Sequence, residues 1–183
     1  MKKPFFIFFF LLIFSGAFSQ EGYRSGFVIT YKKDTIRGKI KDRKYYNGKI
    51  GWQKINFIND KTGEKDKYTP DDIWGYLKDK TEFRSLPLGV EAVKRFTEIL
   101  ESGSVFLFAY SLGLSQKAPP DYFLQKENDP NSLMEWRERD YKTTAAYFFK
   151  GDTALIRSIE TEKLKYEEVQ LMVKEYNIWK IRQ

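Results

Sequence analysis

The chain predicts an α+β fold: an antiparallel β-rich N-terminal part followed by a helical C-terminal part. Three observations point there. Between residues 20 and 130, apolar residues recur with period two in short runs, parted by glycine, asparagine, aspartate and proline. Towards the C-terminus the apolar spacing changes to i, i+3, i+4, i+7, the stripe of an amphipathic helix. Strands and helices do not alternate along the chain, so nothing favours a parallel βαβ sheet. The expected organisation is a leader over 1–19, a β-rich portion over 20–130 and a helical portion over 131–183, the last two packed as one domain.

The leader comes first. Lys2 and Lys3 precede the apolar run PFFIFFFLLIF (4–14), and Ala17 and Ser19 stand at −3 and −1 before Gln20. A basic start, a short apolar run and small residues at a cut site describe a secretory signal peptide. A membrane anchor would need about 20 apolar residues, and polar sequence follows this run at once. No cysteine is present to carry a lipid, so the expectation is a periplasmic or extracellular protein that is not a lipoprotein and has no span after cleavage. Loss of the two leader lysines lowers the net charge from +7 to +5. The remaining lysines are scattered among acids, which is not the clustered pattern of a nucleic-acid binder.

The strands follow in order. Phe27–Tyr31 and Thr35–Ile40 form a hairpin around Lys32-Lys33-Asp34, with Ile36, Gly38 and Ile40 on one face. Gln53–Ile58 places Ile55 and Phe57 inward and leads through NDKTGEKD (59–66) to a short strand ending near Tyr68. That acidic loop lacks the residue order of a calcium loop and reads as a turn around Gly63. Gly75–Lys78 and Glu82–Ser85 pair across Asp79 and Lys80. Arg95–Leu100 and Val105–Tyr110 pair across ESGS (101–104), although Ala92, Phe96, Ile99 and Leu100 also fit a helical stripe. Val105–Tyr110 is apolar on both faces, as a central strand would be. Tyr122–Lys126 is one more strand, closed by Asn128-Asp129-Pro130.

The helices come last. Ser132–Phe149 is charged and aromatic and reads as helical in part. Asp152 can cap a helix carrying Leu155, Ile156 and Ile159. The clearest helix carries Val169, Met172, Val173, Tyr176 and Trp179 or Lys180 on one stripe.

The motifs DTIRGKI (34–40), YTPDDIWGY (68–76), ILESGSVFLFAY (99–110), YFLQK (122–126) and YEEVQLMVKEYN (166–177) come in this order behind a cysteine-free leader. The ordered set resembles a group of exported proteins of Bacteroidota. The resemblance implies export and this layout, and it supplies no catalytic residue. Arg37 stands where the group's pattern leads one to expect an aromatic or aliphatic residue.

Chemistry is bounded by what is missing. With no histidine and no cysteine there is no Ser-His-Asp triad, no thiol nucleophile, no imidazole acid/base and no disulfide. No S-x-x-K, G-x-S-x-G, Walker or G-x-G-x-x-G motif occurs in the mature chain, and no cofactor or metal site is indicated. The pair Asp71 and Asp72 invites an active-site reading. Yet Thr69-Pro70-Asp71-Asp72 has the hydroxyl, proline and acids of a helix start. Neighbours on one helical turn point about 100° apart, so they would not face each other across a substrate. The candidate binding residues are therefore aromatic: Trp52, Trp74, Trp136 and Trp179, whose rings could stack on sugars or serve only as core. The expected role is non-catalytic, with an envelope protein or glycan as partner. The alternative is a carboxylate-dependent glycan hydrolase, if acids such as Glu82, Asp121, Glu127, Asp129 and Glu135 meet in a cleft.

Overall fold

A computed structural model of the chain describes residues 22–42, 54–111 and 119–183. The leader and the first tryptophan of the candidate set, Trp52, lie outside the described residues.

Ten strands form one antiparallel sheet. They are β1 (Arg24–Thr30), β2 (Thr35–Asp42), β3 (Ile55–Asn59), β4 (Lys65–Tyr68), β5 (Ile73–Lys78), β6 (Thr81–Leu88), β7 (Val93–Glu101), β8 (Val105–Tyr110), β9 (Asp121–Lys126) and β10 (Asp129–Trp136). Their order across the sheet is β10-β9-β8-β7-β6-β5-β1-β2-β3-β4. Three helices follow: α1 (Tyr141–Phe148), α2 (Thr153–Glu160) and α3 (Val169–Ile181). The α+β class holds, with the strands first and the helices after them.

One short connection dictates the sheet's curvature. Residues 69–72 alone join β4 to β5, yet β4 lies four places from β5 in the strand order. Four strand spacings of about 4.8 Å amount to roughly 19 Å. A fully extended segment of this length would barely reach that far, at about 3.3–3.6 Å per residue. This one is folded, because the Asp72 amide donates to the Thr69 carbonyl at 3.1 Å. The β5-β1-β2-β3-β4 part therefore curls, bringing its far edge back towards β5. Val28, Ile40, Ile55, Phe57 and Ile73 are sealed inside the curl. Gly38 belongs to the same packing: a Cβ there would stand 2.5 Å from the Phe57 ring, so the glycine of DTIRGKI is where that ring passes over the backbone.

Residues directly opposite one another on neighbouring strands share a face of the sheet. Following the pairs gives one row, Ile36–Val28–Tyr76–Phe83–Glu98–Ala109–Tyr122–Trp136, which crosses from β2 to β10 on the inner face. At the β8–β10 end this face is covered by the helices. Leu107, Leu124 and Trp136 meet Phe148, Phe149 and Met172 there, each of them fully buried. The opposite face of β8 carries Phe108 and Tyr110, which cluster with Leu86 and Phe123. Apolar residues on both faces are what the sequence predicted for Val105–Tyr110, and β8 does lie between β7 and β9.

Two elements differ from expectation or resolve an ambiguity. Val93–Glu101 is a strand, so the helical stripe through Ala92 and Leu100 is not used. Asp129–Trp136 is also a strand, and helix begins only at Tyr141, so the strand-rich part runs to Trp136 and not to residue 130. Asn128-Asp129-Pro130 turns the chain inside a hairpin instead of closing the sheet. Pairing jumps there from Asp129–Lys126 to Met134–Leu124. Buried Ser132 fills the gap in the ladder: its hydroxyl accepts from the Lys126 amide at 2.7 Å and donates to the Asp129 carbonyl at 2.6 Å. This interruption masks the period-two pattern in the sequence.

The helices begin and dock as the side chains require. The Asp152 carboxylate accepts from the Leu155 amide at 3.0 Å, capping α2. On α3, Val169, Met172, Val173 and Tyr176 are buried, and Asn177 joins them. Asn177 is 6% exposed. Its Oδ1 accepts from the Val105 amide at 2.9 Å, and its Nδ2 donates to the carbonyls of Val105 at 2.8 Å and Ser102 at 3.4 Å. The α3 helix is thereby locked onto the β7–β8 turn. Any side chain at Gly103 would collide, since a Cβ would lie 2.7 Å from Asn177 Cγ.

Asn177→Ala leaves a buried backbone amide and carbonyl without these partners and should cost about 2–3 kcal/mol of stability in denaturant unfolding. Gln170→Ala, on the exposed side of the same helix where Gln170 Nε2 donates to Glu101 at 3.0 Å, should stay within about 0.5 kcal/mol of the parent protein.

Candidate functional site

The described tryptophans do not share a surface. Trp136 is 1% exposed. Its indole nitrogen donates to the Tyr166 carbonyl at 3.0 Å, and its ring stacks with Tyr166 and meets Tyr141 edge-on. It is core under the helices and presents no face to a ligand. Trp179, half-buried on α3, packs beside Tyr176, with its ring edge 3.1 Å from where a Cβ on Gly151 would sit. Trp74 alone lies on the outer face of the sheet, half-buried.

A bulge turns Trp74 outward. On β1, Ile29 pairs with Gly75 and Thr30 with Ile73, so Trp74 is left opposite no residue of β1. One extra residue on β5 lets Ile73 and Tyr76, three positions apart, both enter the inner cluster. The price of that register is Trp74, which is directed to the other face beside Arg84.

There it gathers cations. Lys33 Nζ lies 3.3 Å from the centre of the Trp74 ring, and the Arg84 guanidinium carbon lies 4.3 Å from it. The same guanidinium is 4.5 Å from the Phe106 ring centre and 5.6 Å from that of Phe108. Four elements contribute: the β1–β2 turn, β5, β6 and β8. Arg84 reaches β8 because its direct neighbour on β7 is the short Thr97, whose hydroxyl is occupied with the Arg84 carbonyl at 3.0 Å. Lys33 arrives in a left-handed conformation, φ 70°, at a hairpin position where glycine or asparagine is the usual occupant.

The electrostatics are unbalanced. Among the described residues no carboxylate lies within ion-pair distance of Lys33 or Arg84, whereas the nearby Lys94 has Asp71 at 3.7 Å. Arg84 Nε is buried and has no hydrogen-bond partner among the described residues. Burial holds Arg84 below the ordinary arginine value, and Glu82 on the same strand offsets this in part. Lys33 is held below its ordinary value by loss of hydration and then by the Arg84 charge. Two positive groups kept beside one ring, both disfavoured in their charged form, make a surface suited to an anion.

The paired aspartates are occupied elsewhere. Thr69–Asp72 is a single turn running directly into β5 at Ile73, not a turn of helix. Asp72 Oδ2 accepts from the Thr69 amide and from the Thr69 hydroxyl, each at 2.7 Å. The reach back to the Thr69 amide is one half of a capping box, while the Thr69 hydroxyl donates to the acid instead of accepting from a backbone amide. Asp71 points to Lys94. The turn is tied down by Pro70, whose carbonyl accepts from the Tyr31 and Ser85 hydroxyls at 2.6 Å each.

Of the dispersed acids, Glu127 and Asp129 flank the β9–β10 turn and Glu82 sits on β6. Asp121 and Glu135 come near one another at the β9–β10 end: Glu135 pairs with Phe123, two residues along from Asp121 on the same face. The Asp121 carboxyl is pushed up by partial loss of hydration and by the Glu135 charge. Glu135 in turn is ion-paired with Arg137. Two open hollows lie away from these groups, about 600 Å³ beside α2 at Arg157 and Lys163, and about 470 Å³ beside Arg37 and Lys61. Among the described residues, no carboxylate lines either of them.

The two Thr69 bonds hold Asp72 below the ordinary aspartate value. A depressed carboxyl contributes stability above its unfolded value and loses it as pH falls through the folded one. Asp72→Asn should therefore cost about 0.5–1 kcal/mol at neutral pH, and the difference from the parent should vanish in acid unfolding below the ordinary aspartate range. No protein-family model, no curated protein and no solved structure matches the chain.

Proposed function

We propose that the chain is an exported protein of the bacterial envelope with a non-catalytic role, binding a glycan or protein partner through the outer face of the sheet around Trp74. The observation that carries this reading is the gathering of Lys33 and Arg84 on Trp74 with no carboxylate among the described residues to balance them. Uncompensated charge in a half-buried aromatic setting lowers stability, so a fold that keeps it is consistent with use in binding. The leader reading supports export. A chain with neither histidine nor cysteine lacks the commonest acid/base and nucleophilic groups, which favours binding over turnover.

A carboxylate-dependent glycan hydrolase is the second reading, and Asp121 beside Glu135 is the observation that favours it. A carboxyl pushed upward next to an ion-paired partner is the division of labour between a general acid and an ionised carboxylate.

The mature protein, immobilised and exposed to polymers extracted from its own envelope, should retain a glycan or protein that Trp74→Ala fails to retain, by at least about tenfold in apparent affinity. Equal retention by both proteins would remove Trp74 from the site. Release of reducing sugar ends by the parent protein, lost in Asp121→Asn, would replace the binding reading with the hydrolytic one.

A further inference from the structure

Resting on that binding role, we propose that the Trp74 site is an oxyanion receptor, in which Arg84 and Lys33 together take the carboxylate or sulfate group of an acidic glycan.

The geometry of Arg84 points to this ligand. Its guanidinium carbon lies over two rings, 4.3 Å from the centre of Trp74 and 4.5 Å from that of Phe106. Its Nε is buried, so the donors left to a ligand are those of the two terminal nitrogens of this half-buried side chain. A guanidinium edge matches the two oxygens of a planar or tetrahedral oxyanion, each receiving one hydrogen bond. Lys33 supplies a second charge from the solvent side, since the residue is exposed while its ammonium rests on Trp74. The aromatic walls, Trp74 and Phe106, are half-buried and provide C–H and ring surface around the anion. Such surface suits the body of a sugar ring better than an extended acidic peptide, whose backbone would need paired donors and acceptors.

The energetics agree. Both cations are held below their ordinary values, chiefly by burial. Carrying the half-buried Arg84 charge costs the free protein hydration, and an anion seated beside it offsets that cost. A purely structural arginine would behave oppositely, because its removal would destabilise the fold. Arg84→Met separates the two roles: methionine keeps apolar contact with Phe106 and Phe108 and removes the charge.

The test uses the mature protein, with binding followed by calorimetry and by tryptophan fluorescence. The probes are oligogalacturonate, a neutral galactose oligomer of equal length, inorganic sulfate and poly-glutamate. Oligogalacturonate is expected to bind, more weakly as salt rises, and the neutral oligomer is not. Lys33→Ala and Arg84→Met should each weaken oligogalacturonate binding about tenfold or more, while Arg84→Met unfolds at the same temperature as the parent or higher. Equal affinity in these variants, or equal affinity for the neutral oligomer, would overturn the oxyanion receptor. Saturation by sulfate or by poly-glutamate without binding of oligogalacturonate would overturn the glycan assignment. Retention of envelope polymer that depends on Trp74 but not on Arg84 would leave the binding role standing and sink the acidic ligand.

Discussion

The docking of α3 through Asn177 is the interaction on which the arrangement of sheet and helices depends. A β-turn at the end of β7 leaves backbone groups unpaired, and burying them under a helix would be costly without partners. Asn177 carries one acceptor and two donors on a short side chain, and it satisfies the Val105 amide, the Val105 carbonyl and the Ser102 carbonyl together. Gly103 is the complementary feature, since it clears the space into which the amide fits. The ESGS turn and the closing EYN are therefore two halves of one contact, separated by 72 residues between Val105 and Asn177. With α3 fixed, Met172 and Val173 close the core over β8, and α1 and α2 pack alongside.

At the other end of the sheet the governing constraint is chain length. The connection over 69–72 is too short to cross a flat sheet, so the strands curl and the inner cluster closes with no helix of the described residues among its members. The same connection explains why Asp71 and Asp72 stand together. Asp72 holds the turn and Asp71 meets Lys94. Their adjacency serves the turn and not catalysis. The bulge that follows brings Ile73 and Tyr76 inward together, and Trp74 is turned outward as a result. The candidate site is thus a consequence of how β5 solves its packing: one residue too many for the ladder becomes the ring on which Lys33 and Arg84 gather.

Much of the strand layout was legible in the sequence because hairpins are local. Alternation at Ile36, Gly38 and Ile40, the Gly63 turn and the Asp152 cap each rest on residues within a few positions of one another. β10 was not legible for the same reason reversed. Ser132 interrupts the ladder near the turn and the pairing skips, so Leu133 to Trp136 follow no clean period when read alone. The three described tryptophans illustrate the limit at the site. They are alike as residue types, yet Trp136 is core, Trp179 lies against Gly151 and Tyr176, and Trp74 faces outward.

By itself, the sequence determined the α+β class, the order of most elements, the absence of imidazole and thiol chemistry, and the turn at Thr69–Asp72. These follow from residue type and short-range period, which the chain carries locally. Only the tertiary structure decided which face each strand presents, how far the sheet curls, and that Lys33, Trp74, Arg84 and Phe106 meet. Those residues come from a turn and three strands, and their meeting depends on register, on a bulge and on the small side chain of Thr97 between Arg84 and β8. None of these is a property of any one segment, because cross-strand neighbours are chosen by pairing and not by position in the chain.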